Sequence, residues 1–590
     1  MTTPAHNSSP PDFTMRHRVL SGIMLFLFLC MAGRASWLCV VNKKFLRAQG
    51  DARAVRIEPV MAHRGMILDR NGEPLAVSTP VMSIWVNPQE ALDDGLDVPA
   101  LAKALGMDPA ELHDHISKNA GKQFLYLKRH LAPAEATPIL AQDFPDVYGL
   151  TEYQRFYPEG EVAAHVIGFT NLDDIGEEGV ELSLDKVLRG VPGEEQVIRD
   201  LKGNKVKDVA LLKPARPGKD VELSFDSRAQ YMAYRELSAA VELQGAKAGS
   251  LVAIDVNTGE VLAMVNLPSY NPNNRLNLQL DDMRNRAAID MFEPGSVMKP
   301  FTISCALEAG KVTPESRFDT SPGTYQVLNK TVKDTHDYGV LDLGGIITKS
   351  SNVGATKVGQ LLAPDVLPHY FERFGFGSST HSGFPGESPG RLQSPDHWHP
   401  VELATMAYGY GETVTVLQLT HAYATLAAGG IERPVSMVKV NGPVAGTRIL
   451  DEKVVQELMP MMESVVTADG TALRAAVPGY RVAGKTGTAH KAAGGGYSDK
   501  YMSLFVGLAP VSHPRVAMAV VIDSPSKGSY YGGMVAAPVF SKVMAEMLRL
   551  MDVEPDISAE HMAEQAADLH KPVVTTEPVT PKAGLHKRAT

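Results

Sequence analysis

Residues 19–41 read VLSGIMLFLFLCMAGRASWLCVV, and no other stretch limits this chain's folding choices so much. Inside a bilayer the backbone finds no water to bond, so a single segment crossing it must be helical. About 20 apolar residues are enough to cross. The stretch meets that length and carries one charge, Arg34, which must reach an interface or meet a partner if the segment spans. No convincing A-x-A cleavage site follows it, and neither Cys30 nor Cys39 follows a small residue as a lipid-anchor signal requires. The expectation is an uncleaved, single-span anchor. Flanking charge leaves the orientation open: Arg16 and Arg18 precede the segment, and Lys43, Lys44 and Arg47 follow it.

The remaining chain is too long for one core. At 590 residues, at least two folded domains are expected. A net charge of -10 argues against a nucleic-acid binder, which would carry a basic patch. The three cysteines, Cys30, Cys39 and Cys305, offer no disulfide framework, and packing is their expected role. His113-x-His115 and His397-x-His399 each lack a third ligand at useful spacing, so no metal is expected.

Residues 42–55 read as a juxtamembrane stalk. HRGMILDRNGEPLAVS, from His63, reads as a strand, a tight Arg70-Asn71-Gly72 turn and a second strand. Residues 91–145 read as helix-rich, with polar caps. Asp226 is placed to cap a helix. The composition changes near residue 245, where GSLVAIDVNTGEVLAMVN reads as a hairpin around Asn257-Thr258-Gly259. YMSLFVGLAP and RVAMAVVID read as two further strands near the end, followed by a helix in AAPVFSKVMAEMLRLM. These runs predict one mainly antiparallel sheet closed by its first and last segments, with helices between. From about Val553 the sequence has no apolar period and reads as a disordered tail.

Residues 479–488, GYRVAGKTGT, fit two unrelated patterns. Gly479, Gly484, Lys485 and Thr486 satisfy a phosphate-binding P-loop, which needs a buried strand before it and a helix after it. The following AHKAAGGGYSDKY is a poor helix, so nucleotide binding is set aside. Lys485-Thr486-Gly487 is also the third motif of serine acyltransferases inhibited by penicillin. In a strand Thr486 and Thr488 share one face, and alternation turns Lys485 to the other.

A nucleophile should lie upstream. S-x-x-K occurs at Ser183, Ser296, Ser436 and Ser524, and context selects Ser296. Pro294 and Gly295 break the chain before it, and an apolar helix follows with Pro300 in its first turn. Lys299 lies one turn on, on the same face. Buried there, its neutral form is favoured and it becomes a base. Ser350-x-Asn352 offers a hydroxyl and an amide, and it falls between the other two motifs.

The order Ser296/Lys299, Ser350/Asn352, Lys485/Thr486/Gly487 resembles that of the penicillin-binding proteins. RGMILDRNGEPLA, GVELSLDKVLRGVPG, LVAIDVNTGEVLAM, NRAAIDMFEPGSVMKPF and YGYGETVTVLQLTHAYATLAAGG extend the resemblance to the class B enzymes. Within them the chain is most similar to division-specific septal transpeptidases of Gram-negative bacteria. The resemblance implies an α+β architecture: residues 1–18 a cytoplasmic tail, 19–41 the anchor, 42–240 a non-catalytic pedestal, 245–552 the transpeptidase and 553–590 the tail. It implies that Ser296 is acylated, Lys299 is its base, and Ser350 and Asn352 position substrate and shuttle protons. Lys485 and Thr486 would hold the carboxylate of a D-Ala-D-Ala stem, Gly487 and Thr488 would also meet the substrate, and N–H groups of Ser296 and Thr488 would be the oxyanion donors. Gly494–Gly496 and Tyr497 are a candidate rim, and Tyr501, Tyr530 and Tyr531 a candidate aromatic wall. Implied partners are peptidoglycan stem peptides, β-lactams, the inner membrane and membrane proteins of the division machinery, a glycosyltransferase among them. The catalytic domain would lie in the periplasm, and no cofactor is implied. Competing roles are an elongation-type transpeptidase, a carboxypeptidase or β-lactamase on the same scaffold, and an inactive sensor.

Overall fold

The computed structural model describes residues 14–45, 55–199, 205–393, 399–493 and 496–558. Most of the expected C-terminal tail, His397, Arg47, Gly494 and Gly495 lie outside the described residues. The apolar stretch is helical from Thr14 to Val41, with a mean hydropathy of 2.0 and no burial against protein. Leu25, Phe26, Phe28 and Leu29 are all exposed on it, a surface suited to lipid. Cys30 and Cys39 are exposed there too, whereas Cys305 is buried.

The chain forms two compact units. Pro80–Glu152 and Gly190–Pro217 belong to the first, and Arg64–Thr79, Tyr153–Arg189 and everything from Gly218 belong to the second. The stretch 42–240 is thus shared between them. In the first unit the helices Val98–Leu105 and Pro109–Lys118 begin at Asp97 and Asp108, whose carboxylates accept backbone N–H groups of the first turns. Leu101, Leu105, Leu112 and Ile116 pack into its core. The strand Leu125–Leu131 interrupts the region expected to be helix-rich.

The second unit is built on a five-stranded antiparallel sheet. Its strands are β1 (Ala248–Asp255), β2 (Val261–Leu267), β3 (Ala483–Ala493), β4 (Gly496–Ala509) and β5 (Val516–Asp523). The order is β2-β1-β5-β4-β3, so first and last segments close the sheet as expected. Every residue of β1 and β2 is buried, because helices cover the sheet. Ser227–Leu243 and Ala537–Leu550 pack on each other and on the sheet, and Val416–Ala427 packs on β1 and β5. Asp226 caps the first of these helices through the N–H groups of Arg228 and Ala229. At the β1–β2 turn Gly259 has φ +76°, and a Cβ there would lie 2.1 Å from the Pro434 carbonyl oxygen. This packing leaves β3 as an edge strand, with β4 its sole sheet partner among the described residues.

Candidate active site

Ser296 stands on the 3-10 turn Gly295–Met298, which runs directly into α1 (Lys299–Glu308). The turn is pinned from behind: Gly295 has φ +61° and its N–H donates to the Gly409 carbonyl at 2.9 Å. Residues 299–307 are all buried, whereas Ser296 is half-buried. The i to i+3 spacing brings the Lys299 amine 3.0 Å from Ser296 Oγ.

The second motif meets the same amine. Ser350 joins α2 (Leu343–Lys349) to α3 (Asn352–Gly359) with φ 61° and ψ 38°, a left-handed conformation uncommon outside glycine. Lys299 Nζ contacts Ser350 Oγ at 3.1 Å, the Ser350 carbonyl, and Asn352 Oδ1 at 2.8 Å. Asn352 is oriented by its own Nδ2, which donates to the Lys333 carbonyl at 2.9 Å. Asp334 fixes the start of α3. It accepts the Asn352 N–H, the Val353 N–H at 3.0 Å and the Ser351 hydroxyl at 2.6 Å.

The third motif completes the chain of contacts. Lys485 Nζ lies 3.0 Å from Ser350 Oγ, 3.1 Å from the Thr486 carbonyl and 3.3 Å from Thr486 Oγ1. Strand alternation was expected to turn Lys485 away, and that expectation is corrected. The four-carbon stem carries the amine back to the hydroxyl of its own neighbour. Thr486 Oγ1 also lies 2.8 Å from Thr471 Oγ1, and Thr488 Oγ1 accepts the Gly532 N–H at 3.2 Å. β3 approaches the nucleophile's turn so closely that a Cβ at Gly487 would lie 3.1 Å from both the Pro294 oxygen and Val297 Cγ1. Residues 483–493 are one continuous strand, so the P-loop pattern lacks its helix.

Electrostatics follow from burial. Lys299 and Lys485 are both fully buried. Among the described residues neither amine has a carboxylate within ion-pair distance. Burial lowers the Lys299 pKa to about 7, with Asp334 pulling weakly the other way. Burial, then the nearby Lys299, holds Lys485 well below the usual lysine range. A neutral Lys299 has a lone pair that can accept the Ser296 hydroxyl proton along the 3.0 Å contact.

The expected aromatic residues come together. Tyr501 and Tyr530 stack with centroids 4.1 Å apart at 11°, and Tyr530 packs on Tyr531 at 4.5 Å. His490 extends the row, 4.4 Å from Tyr501. Gly496 and Tyr497, expected in a rim, begin β4. Asp334, Thr471 and His490 are the residues that sequence reasoning missed. Asp334 and Thr471 precede their partners by 18 and 15 positions, with no local pattern linking them. His490 carried a signal, since alternation from Thr486 and Thr488 puts it on their face.

Comparison with known proteins agrees with this geometry. The penicillin binding protein transpeptidase domain matches residues 249–545, and the penicillin-binding protein dimerisation domain matches residues 59–223. The peptidoglycan D,D-transpeptidase FtsI of Escherichia coli K12 is 44% identical over 547 residues, covering 92% of each chain. The probable peptidoglycan D,D-transpeptidase PenA of Neisseria gonorrhoeae is 41% identical, covering 90% of this chain and 92% of that one. The transpeptidase domain of Burkholderia pseudomallei penicillin-binding protein 3 is 43% identical with a TM-score of 0.53, covering 57% of this chain and 98% of that one. With family matches in both parts of the chain and relatives aligned along most of its length, the chain belongs to the penicillin-binding protein transpeptidase family.

Proposed function

We propose that the protein is a membrane-anchored peptidoglycan D,D-transpeptidase that cross-links stem peptides during septal wall synthesis, through an acyl-enzyme on Ser296. One observation carries the reading: a continuous set of contacts from Ser296 through Lys299 and Ser350 to Lys485, in which both amines are buried without a paired carboxylate among the described residues.

Lys299 takes the Ser296 proton as Oγ attacks the carbonyl of the penultimate D-Ala. N–H groups of Ser296 and Thr488 receive the oxyanion, each such donor being worth about 3 kcal/mol in a transition state. The C–N bond breaks, and the proton passes through Lys299 and Ser350 to the departing D-Ala amine. Lys485, Thr486 and Thr488 hold the terminal carboxylate, supported at the close approach of Gly487. An arriving carboxylate supplies the negative charge Lys485 lacks, so binding would draw a proton onto that amine. An amine from a neighbouring stem then attacks the ester, forming the cross-linking amide and returning the proton to Ser296. A β-lactam would follow the first step, its leaving amine remaining tethered. Tyr501, Tyr530 and Tyr531 would flank the stem. The single span would keep residues 1–18 in the cytoplasm and the pedestal, 42–240, and transpeptidase, 245–552, in the periplasm beside division proteins such as a glycosyltransferase.

Mass spectrometry after penicillin treatment tests this. The expected adduct lies on the peptide containing Ser296 and is lost in Ser296→Ala. An adduct on another side chain, or rapid steady-state hydrolysis of the drug, would overturn the reading.

A further inference from the structure

Beside the nucleophile's turn lies a second group of acids that this chemistry does not use. Residues 409–414 run antiparallel to residues 292–295: Phe292 and Val414 exchange both backbone hydrogen bonds, and Gly295 bonds Gly409. Glu293 and Glu412 belong to this ribbon, and Glu293 precedes Ser296 by three positions. Glu293 Oε1 accepts the Gly411 N–H at 3.1 Å and the Tyr497 hydroxyl at 3.2 Å. Its Oε2 is buried without a partner, and so are both oxygens of Glu412, a residue only 1% exposed. Among the described residues no lysine or arginine pairs with either acid.

The Glu293 oxygen buried without a donor demands an explanation, because an unmade hydrogen bond of this kind is costly. A primary ammonium has three N–H donors and no acceptor. The transpeptidase reading requires such a group, since the second substrate is an amine that arrives protonated at neutral pH. We infer that Glu293 and Glu412 form the recognition site for the acceptor's ammonium, Glu293 meeting it at the half-buried rim beside Tyr497 and Glu412 backing it. Burial, reinforced by the nearby Glu293, holds Glu412 well above the usual carboxylic range. Tyr497, at the tip of the β3–β4 hairpin and 52% exposed, covers the approach.

This inference rests on the transpeptidase reading, and its test separates the two. Full-length Glu293→Gln and Glu412→Gln are acylated with a small thioester analogue of the D-Ala-D-Ala stem. The acyl-enzyme is then offered either D-alanine, whose amine is protonated at neutral pH, or hydroxylamine, which is mostly neutral there. Penicillin labelling of each variant reports folding and the donor half-reaction. The expected result for Glu293→Gln is a rise in the KM for D-alanine of about tenfold or more, with transfer to hydroxylamine changed less than about twofold. Glu412→Gln should shift the D-alanine KM in the same direction by a smaller factor. Equal losses with both acceptors, or no change with D-alanine, would overturn the site while leaving the acyl-enzyme intact. Failure of wild-type protein to acylate would instead strike the function on which it rests.

Discussion

Two buried clusters in the second unit place cations out of water and obtain opposite results. In one, Arg64 and Arg155 flank Glu181, with Arg64 2.6 Å from Glu181 and 2.8 Å from Asp185, and Arg155 2.6 Å from Glu181. Burial opposes the Arg64 charge, but Glu181 and Asp185 more than offset it, so its pKa is raised. In the other, Lys299 and Lys485 are also closed off from solvent, yet their contacts are hydroxyl, amide and carbonyl oxygens. There burial prevails and the amines are pushed toward neutrality. Both sets of cations are closed off from solvent; the partner decides whether such a cation becomes a permanent structural charge or a base. The choice of residue fits, since guanidinium stays charged while an ammonium gives up its proton readily.

The sharpest way to break this contrast is Lys299→Arg. It keeps a long cationic side chain but removes the base, and penicillin acylation should fall by about three orders of magnitude or more. Near-normal labelling would show that Lys299 does not act as a base. Glu181→Gln attacks the other cluster. Arg155 loses its carboxylate partner, and about 3 kcal/mol of stability should disappear, seen as a clear drop in thermal unfolding temperature. Ser296 labelling well below that temperature should persist. Gly487→Ala leaves both clusters' charges alone. Its new methyl must displace Pro294 or Val297, parting the strand from the nucleophile's turn, and acylation should fall about tenfold to a hundredfold. An unchanged rate would mean that this close approach does not set the site's geometry.

The two clusters also differ in how visible they were in the sequence. Ser296 and Lys299 were legible because a helix brings residues three apart onto one face, and Pro294, Gly295 and Pro300 mark where it starts. The sheet was legible because unbroken apolar runs such as LVAID and VAMAVVID fit only strands covered by helices. The direction of Lys485 was not, since the alternation rule fixes where Cβ points and says nothing about a stem long enough to curl back. Asp334 and Thr471 reach their partners through tertiary folding, so no spacing betrayed them. Arg64, Arg155 and Glu181 are more than a hundred positions apart at their extremes, and nothing local distinguished them from surface charges. The strand Leu125–Leu131 was missed because LYLKRHL mixes charges with apolar residues, and only packing decides its state.

The central claim is that burial without a carboxylate makes Lys299 a neutral amine at working pH. The direct measurement is the second-order rate constant for acylation by labelled benzylpenicillin, taken from about pH 5.5 to about pH 10. Protonation removes the base, so the rate should climb about tenfold per pH unit on the acid side and level off above the Lys299 pKa of about 7. A rate that keeps climbing toward the ordinary lysine value of 10.5, or one with no dependence on pH across that range, would contradict the account.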